Sequence, residues 1–489
     1  MRVPLIPPLT LAELAAGLRA APPAVGGERL CRGIATDSRE VRAGDVFLAL
    51  QGAHTDGNRY VSDAQNRRAA AVITNLPEFI HEIQMPRLLV DDPVKALGRL
   101  AVAQTWGKSH RVVAITGSVG KTTTKAYTAS VLAQGFAVHQ TEGNYNNHLG
   151  LPLTLLATPP EAEVLVLEMG MNHAGEISYL SQLAQPHIGV ITHIGTAHIG
   201  LLGSREAICR AKLELLDGMT EDGVLLLGAN EELLAPGAGL LRAWRGRLPQ
   251  IFYVGWDDPQ ADFAMLPCPS SAEGQRYLFR TPFGPPSPLS FQGVGMPAKQ
   301  AALFAAAVGC LLGIPTQGIE TGLRTATLPA MRQRVYEIGD LTVLDDCYNA
   351  SPESVRAACD TLRELAEERE APPHEGKPPF GRTVALLGDM LELGDFAEAL
   401  HRQTGAYAAH NGLGLLFVFG RHAAWLAEGA LEGGMEKGRV VVLDDRHTFE
   451  ENAARLLSLL QPHDLLLVKA SRAAGAERFL AYLRAHWKD

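Results

Sequence analysis

The chain has 489 residues, 46% of them hydrophobic and 20% charged, with a formal net charge of −9. That is too long for a single core and fits about three domains. The acidic balance argues against a nucleic-acid partner, whose phosphates need a basic face, and six scattered cysteines with no C-x-x-C pair indicate neither a zinc site nor a disulfide framework.

Residues 1–107 read as a small α/β module. The opening MRVPLIPPLT lacks the apolar core of a signal peptide. No run in the chain is long enough to cross a bilayer, so a cytoplasmic protein without integral membrane association is expected. Thr10 followed by Glu13 predicts a helix that starts with a capping box. Strands are expected at 46–50 and 70–73, with a helix at 63–68 between them. Asp37-Ser38-Arg39 and His54-Thr55-Asp56-Gly57 are polar clusters beside these strands, and each alone fits turn chemistry.

Residues 108–315 are organised around RVVAITGSVGKTTT at 111–124. Val112 to Ile115 form a short buried strand, Thr116, Gly117, Ser118, Val119 and Gly120 a small-residue loop, and Lys121, Thr122 and Thr123 the start of a helix. Loop amides and a helix N-terminus face an anion together. The lysine can reach β/γ-phosphates and the next hydroxyl can ligate Mg²⁺. Ile115 stands where the strict P-loop has its first glycine, so the loop is a shortened variant. A glycine turn with an incidental lysine would not explain strand, loop, Lys and Thr in this order. A nucleoside triphosphate is the expected ligand.

A strand at 137–140 leads into Asn144-Tyr145-Asn146-Asn147-His148, either a structured turn or an amide-rich surface that reads a polar substrate. Val164 to Leu167 form a central strand with Glu168 at its carboxyl end, the edge where open α/β sheets bind ligands; an acid there is placed to hold Mg²⁺. After the strand at 188–191, His193 and His198 lie at the same edge, and spacing alone does not choose between them. Ser204 caps a helix that carries Lys212, on its own an ordinary helix lysine. Another strand is expected at 224–227. Residues 245–297 read as irregular strands and loops, and 301–312 as an Ala-rich packing helix.

Residues 316–489 alternate strand and helix again, as a Rossmann-like doubly wound unit without a P-loop. Strands are expected at 341–344, 383–387, 415–419, 440–443 and 465–468, a helix begins at Ser351-Pro352, and 367–381 is a charged, Pro-rich loop.

The runs TGSVGKTT, GNYNNHLGLPLTLL, LEMGMNHAGEI, THIGTAHI, DDCYNASPES, GDMLELG and VKASR occur in this order. Together they resemble the Mur ligase family over nearly the whole chain, and GDMLELG and DDCYNASPES are most similar to the members that add D-alanyl-D-alanine. The resemblance implies three domains: a UDP-sugar-binding module, a P-loop ATPase domain and a Rossmann-like ligase domain. It implies an ATP-dependent ligase that works as a monomer. The terminal carboxylate of UDP-N-acetylmuramoyl-tripeptide would take the γ-phosphate of ATP, and the amine of D-alanyl-D-alanine would displace it.

By the same resemblance Thr122 and Glu168 match ligands of one Mg²⁺. His198, favoured over His193, matches a ligand of a second, and Lys212 matches a lysine carried as a carbamate. Asp346 matches an acid that meets the nucleotide, and Arg332, or else Arg334, an arginine between the second and third domains. Asn144, Asn146, Asn147, Tyr348 and Asn349 match substrate-facing positions; Asp37, Ser38, Arg39, Asp56 and Gly57 match the uridine-nucleotide region. The chain departs from the pattern at 293–303, where a His-Asn pair is missing and Gln300 stands where Asn is expected. It also departs at Ala470, for a usual glycine, and at His148, for a common acid. Two competing readings are a sister ligase that adds a single amino acid and an ATP-binding regulatory protein that ligates nothing.

Overall fold

A computed structural model describes residues 1–487 apart from 53–54, 77–82, 106–109, 238, 245, 247, 269–275, 371–380 and 445. Three sheets follow one another along the chain. The first runs in the order β1 (Arg2–Thr10), β2 (Leu30–Ala35), β3 (Asp45–Leu48), β4 (Ala71–Thr74) and β5 (Arg87–Leu89). β1 is an antiparallel edge strand and the rest are parallel. Pro4, Pro7 and Pro8 obscure β1 in the sequence; an edge strand tolerates them because one side of it needs no ladder hydrogen bonds, and its register shifts between Pro4 and Leu9. The expected capping box is present, with Thr10 accepting from the Glu13 amide at the head of helix Leu11–Leu18.

The second sheet contains β6 (Arg111–Thr116), β7 (Val138–Gln140), β8 (Val164–Glu168), β9 (Ile188–Ile191), β10 (Val224–Gly228), β11 (Gln250–Trp256), β12 (Phe263–Pro267), β13 (Tyr277–Thr281) and β14 (Gly284–Leu289). Their order is β14-β13-β12-β11-β10-β9-β6-β8-β7, and only β13 runs against the other strands, so that its pairings with β12 and β14 are antiparallel. The stretch expected to be irregular therefore extends the sheet, with one register shift between Phe279 and Thr281. Three of its prolines, Pro285, Pro286 and Pro288, fall in β14, at the free edge. The chain passes from β8 to β9 across β6, so the order reverses at β6 and opens a crevice at its carboxyl end.

The third sheet joins β15 (Arg334–Ile338), β16 (Leu341–Asp345), β17 (Thr383–Leu387), β18 (Leu415–Phe419), β19 (Val440–Leu443) and β20 (Leu465–Lys469), in the order β15-β16-β20-β17-β18-β19. Only β15 is antiparallel. Two helix ends differ from expectation. The Ala-rich helix starts at Gly295 rather than 301, since Pro297 is tolerated in a first turn. The helix from Pro352 runs on to Glu370, into the charged run expected to be loop; the rest of that run, 371–380, and His54 lie outside the described residues.

Side chains alternate across each strand, and the alternation sorts the apolar residues. Val46, Val112, Ala114 and Leu416 belong to one cluster that runs unbroken through all three units and includes Ile199 and Leu393. The opposite faces have private clusters, around Phe47 in the first unit, Val113 and Tyr127 in the second, and Phe417 in the third. Among the described residues no helix is long and apolar enough to cross a membrane.

Candidate active site

The loop after β6 is clamped from both sides. The Thr116 hydroxyl donates to the Met169 carbonyl just past β8 (2.9 Å). On the other side the Ser118 amide donates to the His193 carbonyl (2.8 Å) and the Thr192 hydroxyl to the Val119 carbonyl (2.5 Å). Gly117 has φ +146°, and a Cβ there would lie 1.9 Å from Thr192 Oγ1, so only glycine closes this turn. Gly120, at φ +88°, leads into helix Lys121–Leu132, whose N-terminus no side chain caps. Lys121 folds back and donates to the Gly117 carbonyl (2.7 Å). Burial lowers its pKa, Glu168 opposes that shift and Arg332 adds to it.

Glu168 ends β8 and is buried at 2% exposure. Asn146 Nδ2 donates to its Oε1 (2.8 Å), and its amide donates to Thr141 Oγ1 (3.0 Å). Its Oε2 is buried without a hydrogen bond and lies 3.6 Å from Lys125 Nζ. A buried carboxylate oxygen left open beside the hydroxyl-bearing start of a P-loop helix suits a hard divalent cation. Thr122 and Glu168 line the same cavity of about 1140 Å³, with Lys121, Lys125, Asn144, Asn146, Asn147, His198, Arg332, Tyr348 and Asn349.

A second cavity, of about 460 Å³, lies against the third unit. Ser118 to Thr123, His198, Arg332, Asp346, Tyr348 and Asn349 line it. Arg332 stacks over the Tyr348 ring at 4.1 Å, whereas Arg334 lies over Tyr336 and lines neither cavity. Asp346 receives Lys469 Nζ at 2.6 Å. Burial raises the Asp346 carboxyl, and Lys469 pulls the other way.

The second and third units meet in polar contacts around the residues after β9. Glu353 accepts from the Thr196 amide (2.9 Å) and hydroxyl (3.1 Å). Glu392 of the GDMLELG loop lies 2.5 Å from His198 Nδ1, and its carbonyl accepts from the Gly200 amide (3.1 Å). His193 instead faces Glu231 (3.0 Å) and borders a small third cavity with Gln300. The 293–303 motif, counted back from Ala302-Leu303, puts buried Ala301 at the Asn position and Gln300 one place before it. Helix register turns Gln300 toward that cavity.

Lys212 is 2% exposed and makes no ion pair or hydrogen bond among the described residues. Burial, then the charge of Lys121, pushes its pKa well down. A lowered lysine pKa favours the neutral, nucleophilic form of the amine. Neither large cavity reaches Lys212, Thr116 or Gly117, nor Asp37, Ser38, Arg39, Asp56 and Gly57 of the first unit. Asp37 instead caps its own turn, and hydrogen bonds from Arg39 bring its pKa down to about 2. Asp56 accepts from the Asn58 amide (3.0 Å), and Gly57 lets the chain pass the Leu50 backbone.

Sequence reasoning missed Lys125 and Glu353, and reached Lys469 and Glu392 only as members of the VKASR and GDMLELG runs, without a role for either. Lys125 had one available signal, its place one turn after Lys121 on the P-loop helix. A separate trio, Asp389, His401 and His422, is close enough to hold a metal. Yet His401 Nε2 accepts from the Met390 amide (3.0 Å) while Nδ1 faces the Ala397 carbonyl (2.7 Å), so both ring nitrogens are used to hold the loop.

Family models match three stretches of the chain: "Mur ligase family, catalytic domain" over residues 31–105, "Mur ligase middle domain" over 115–285, and "Mur ligase, glutamate ligase domain" over 331–472. The chain is 35% identical over 463 residues to the UDP-N-acetylmuramoyl-tripeptide–D-alanyl-D-alanine ligase of Bacillus subtilis, 93% of each chain. It is 30% identical to the ligase of that name from Escherichia coli, over 92% of this chain and 93% of the other. Its fold superposes on a crystal structure of MurF from Acinetobacter baumannii with a TM-score of 0.83 at 30% identity, over 99% and 100% of the two chains. For MurF ligase from Thermotoga maritima in complex with ADP the TM-score is 0.77 at 26% identity, over 92% and 97%.

Proposed function

The chain belongs to the Mur ligase family, and from that premise we propose that it joins D-alanyl-D-alanine to UDP-N-acetylmuramoyl-tripeptide with ATP. The products are ADP, phosphate and the UDP-linked pentapeptide of peptidoglycan synthesis. In this reading the protein works in the cytoplasm as a monomer, and its first unit, with Asp37, Ser38, Arg39, Asp56 and Gly57, receives the uridine nucleotide. The observation that carries the proposal is the convergence of Lys121, Glu168, His198, Arg332 and Asp346 on two adjoining cavities where the second and third units meet.

Phosphoryl transfer needs positioning and charge neutralisation more than covalent help from the protein. The loop amides and Lys121 hold the triphosphate, and Thr116 and Gly117 shape the loop from beneath. Arg332, fixed by its stack on Tyr348, faces the transferring group. Asp346, anchored by Lys469, meets the nucleotide from the third unit, and Gln300 borders a slot for the base. Thr122, Glu168, His198 and a carbamylated Lys212 would hold two Mg²⁺, which draw charge off the phosphoryl oxygens. The asparagine loop and Tyr348-Asn349 orient the tripeptide's carboxylate. It then takes the phosphoryl group, and the dipeptide amine attacks the resulting acyl carbon and expels phosphate.

The test is phosphate release from ATP with UDP-N-acetylmuramoyl-tripeptide and either D-alanyl-D-alanine or single amino acids. Release and pentapeptide formation are expected with the dipeptide alone. Equal turnover with a single amino acid would move the protein to a sister activity. Nucleotide binding without acceptor-dependent release would make it a regulatory ATP-binding protein.

A further inference from the structure

Lys125 has no part in the mechanism above, yet it is among the most constrained side chains in the large cavity. It lies one turn after Lys121, is 5% exposed, and donates to the Thr141 carbonyl (2.7 Å). Its Nζ lies 3.6 Å from Glu168 Oε2. Thr141 closes the ring, because its hydroxyl accepts from the Glu168 amide (3.0 Å). Asn146 Nδ2 engages the other oxygen, Oε1 (2.8 Å). The carboxylate is thus held by its backbone, by one oxygen and by one charge, while Oε2 keeps its hydrogen-bonding capacity open.

An ionised carboxylate at this depth needs a cation beside it. The ammonium supplies that charge, yet it is too far from Oε2 for a hydrogen bond, and its short bond is to Thr141. A divalent ion can therefore take Oε2 while Lys125 stays on the Thr141 carbonyl.

We infer that Lys125 is a positioning residue that acts as the resident counter-cation of Glu168: it holds the carboxylate turned into the cavity before a divalent ion arrives, and yields Oε2 to the ion. The inference rests on the metal role proposed above for Glu168. It requires that Lys125 oppose the ion's binding, since two cations share one carboxylate. A merely structural lysine would, on removal, leave metal affinity unchanged or weaken it.

The test is Mn²⁺ binding to the full chain without nucleotide, followed by electron paramagnetic resonance, with the melting temperature as the check on folding. Lys125→Gln keeps a donor for Thr141 and removes the charge; Lys125→Met removes both. Both neutral variants are expected to bind Mn²⁺ roughly tenfold more tightly than the parent, from the loss of a like charge a few ångströms away. Lys125→Arg should bind as the parent does. Unchanged or weaker binding in a folded neutral variant would overturn the inference. Glu168→Gln separates the two readings. If it binds Mn²⁺ as the parent does, the ion is not on Glu168, and the metal role and the inference fall together. If it loses Mn²⁺ while Lys125→Gln is unaltered, only the inference falls.

Discussion

Two lysines in the second unit have opposite demands at the residue scale. Among the described residues, Lys121 is hydrogen-bonded only to carbonyls of its own loop. Lys121→Ala should therefore keep its melting temperature and lose about a hundredfold or more in phosphate release, the usual scale for one charge-stabilising donor. Near-normal release would refute the phosphate role. Lys212 is buried with no anion to answer its charge. Lys212→Met should thus melt no lower than the parent, because an unpaired buried amine is costly, but should lose activity. A ¹³C carbamate resonance after labelling with bicarbonate is expected in the parent and absent from the variant. Residues fixed to a motif, such as Gly117, Lys121 and Glu168, were legible in the sequence because strand order dictates where they lie. Lys125 and Glu392 were not, since each acquires meaning only from a partner distant in sequence or on another element.

At the scale of elements, strands with continuous apolar runs were easy to read. β1, broken by prolines, and β14, at a free edge, were not, because edge pairing does not demand an apolar pattern. The GDMLELG loop shows how polar groups fix an element that packing alone leaves free. Asp389 accepts from the Arg421 and His422 amides (3.0 and 2.8 Å), Ser471 Oγ from the Leu391 amide (2.9 Å), and His401 Nε2 from the Met390 amide. His401 is fully buried, and burial lowers its pKa below the ordinary 6.5, with His422 acting the same way and Asp389 and the Ala397 carbonyl against. The folded state then binds fewer protons than the unfolded one. His401's contribution to stability is present above pH about 6.5 and is lost as the pH falls through its lower folded value. Melting temperatures between pH 7.5 and 5 should fall more steeply for the parent than for His401→Gln, and equal slopes would count against this role.

Across the whole molecule, the order of the three units followed from composition and motif, whereas the way they meet did not. The seam depends on Glu353 receiving two hydrogen bonds from Thr196 and on Glu392 beside His198 and Gly200. Glu353→Ala should remove about 1–3 kcal/mol from that seam. The expected result is faster amide hydrogen exchange at 194–203 and 388–396 with β6 unchanged; unaltered exchange there would mean that Glu353 does not hold the units together. The apolar cluster that crosses all three units has a thermal consequence as well. Ile199 and Leu393 belong to it on either side of the seam, so parting the units wets them and closing the units dries them again. Nucleotide binding that closes the seam should therefore carry a negative change in heat capacity, and titration calorimetry should show heat release growing as the temperature rises; a flat temperature dependence would mean that the second and third units bind nucleotide without moving.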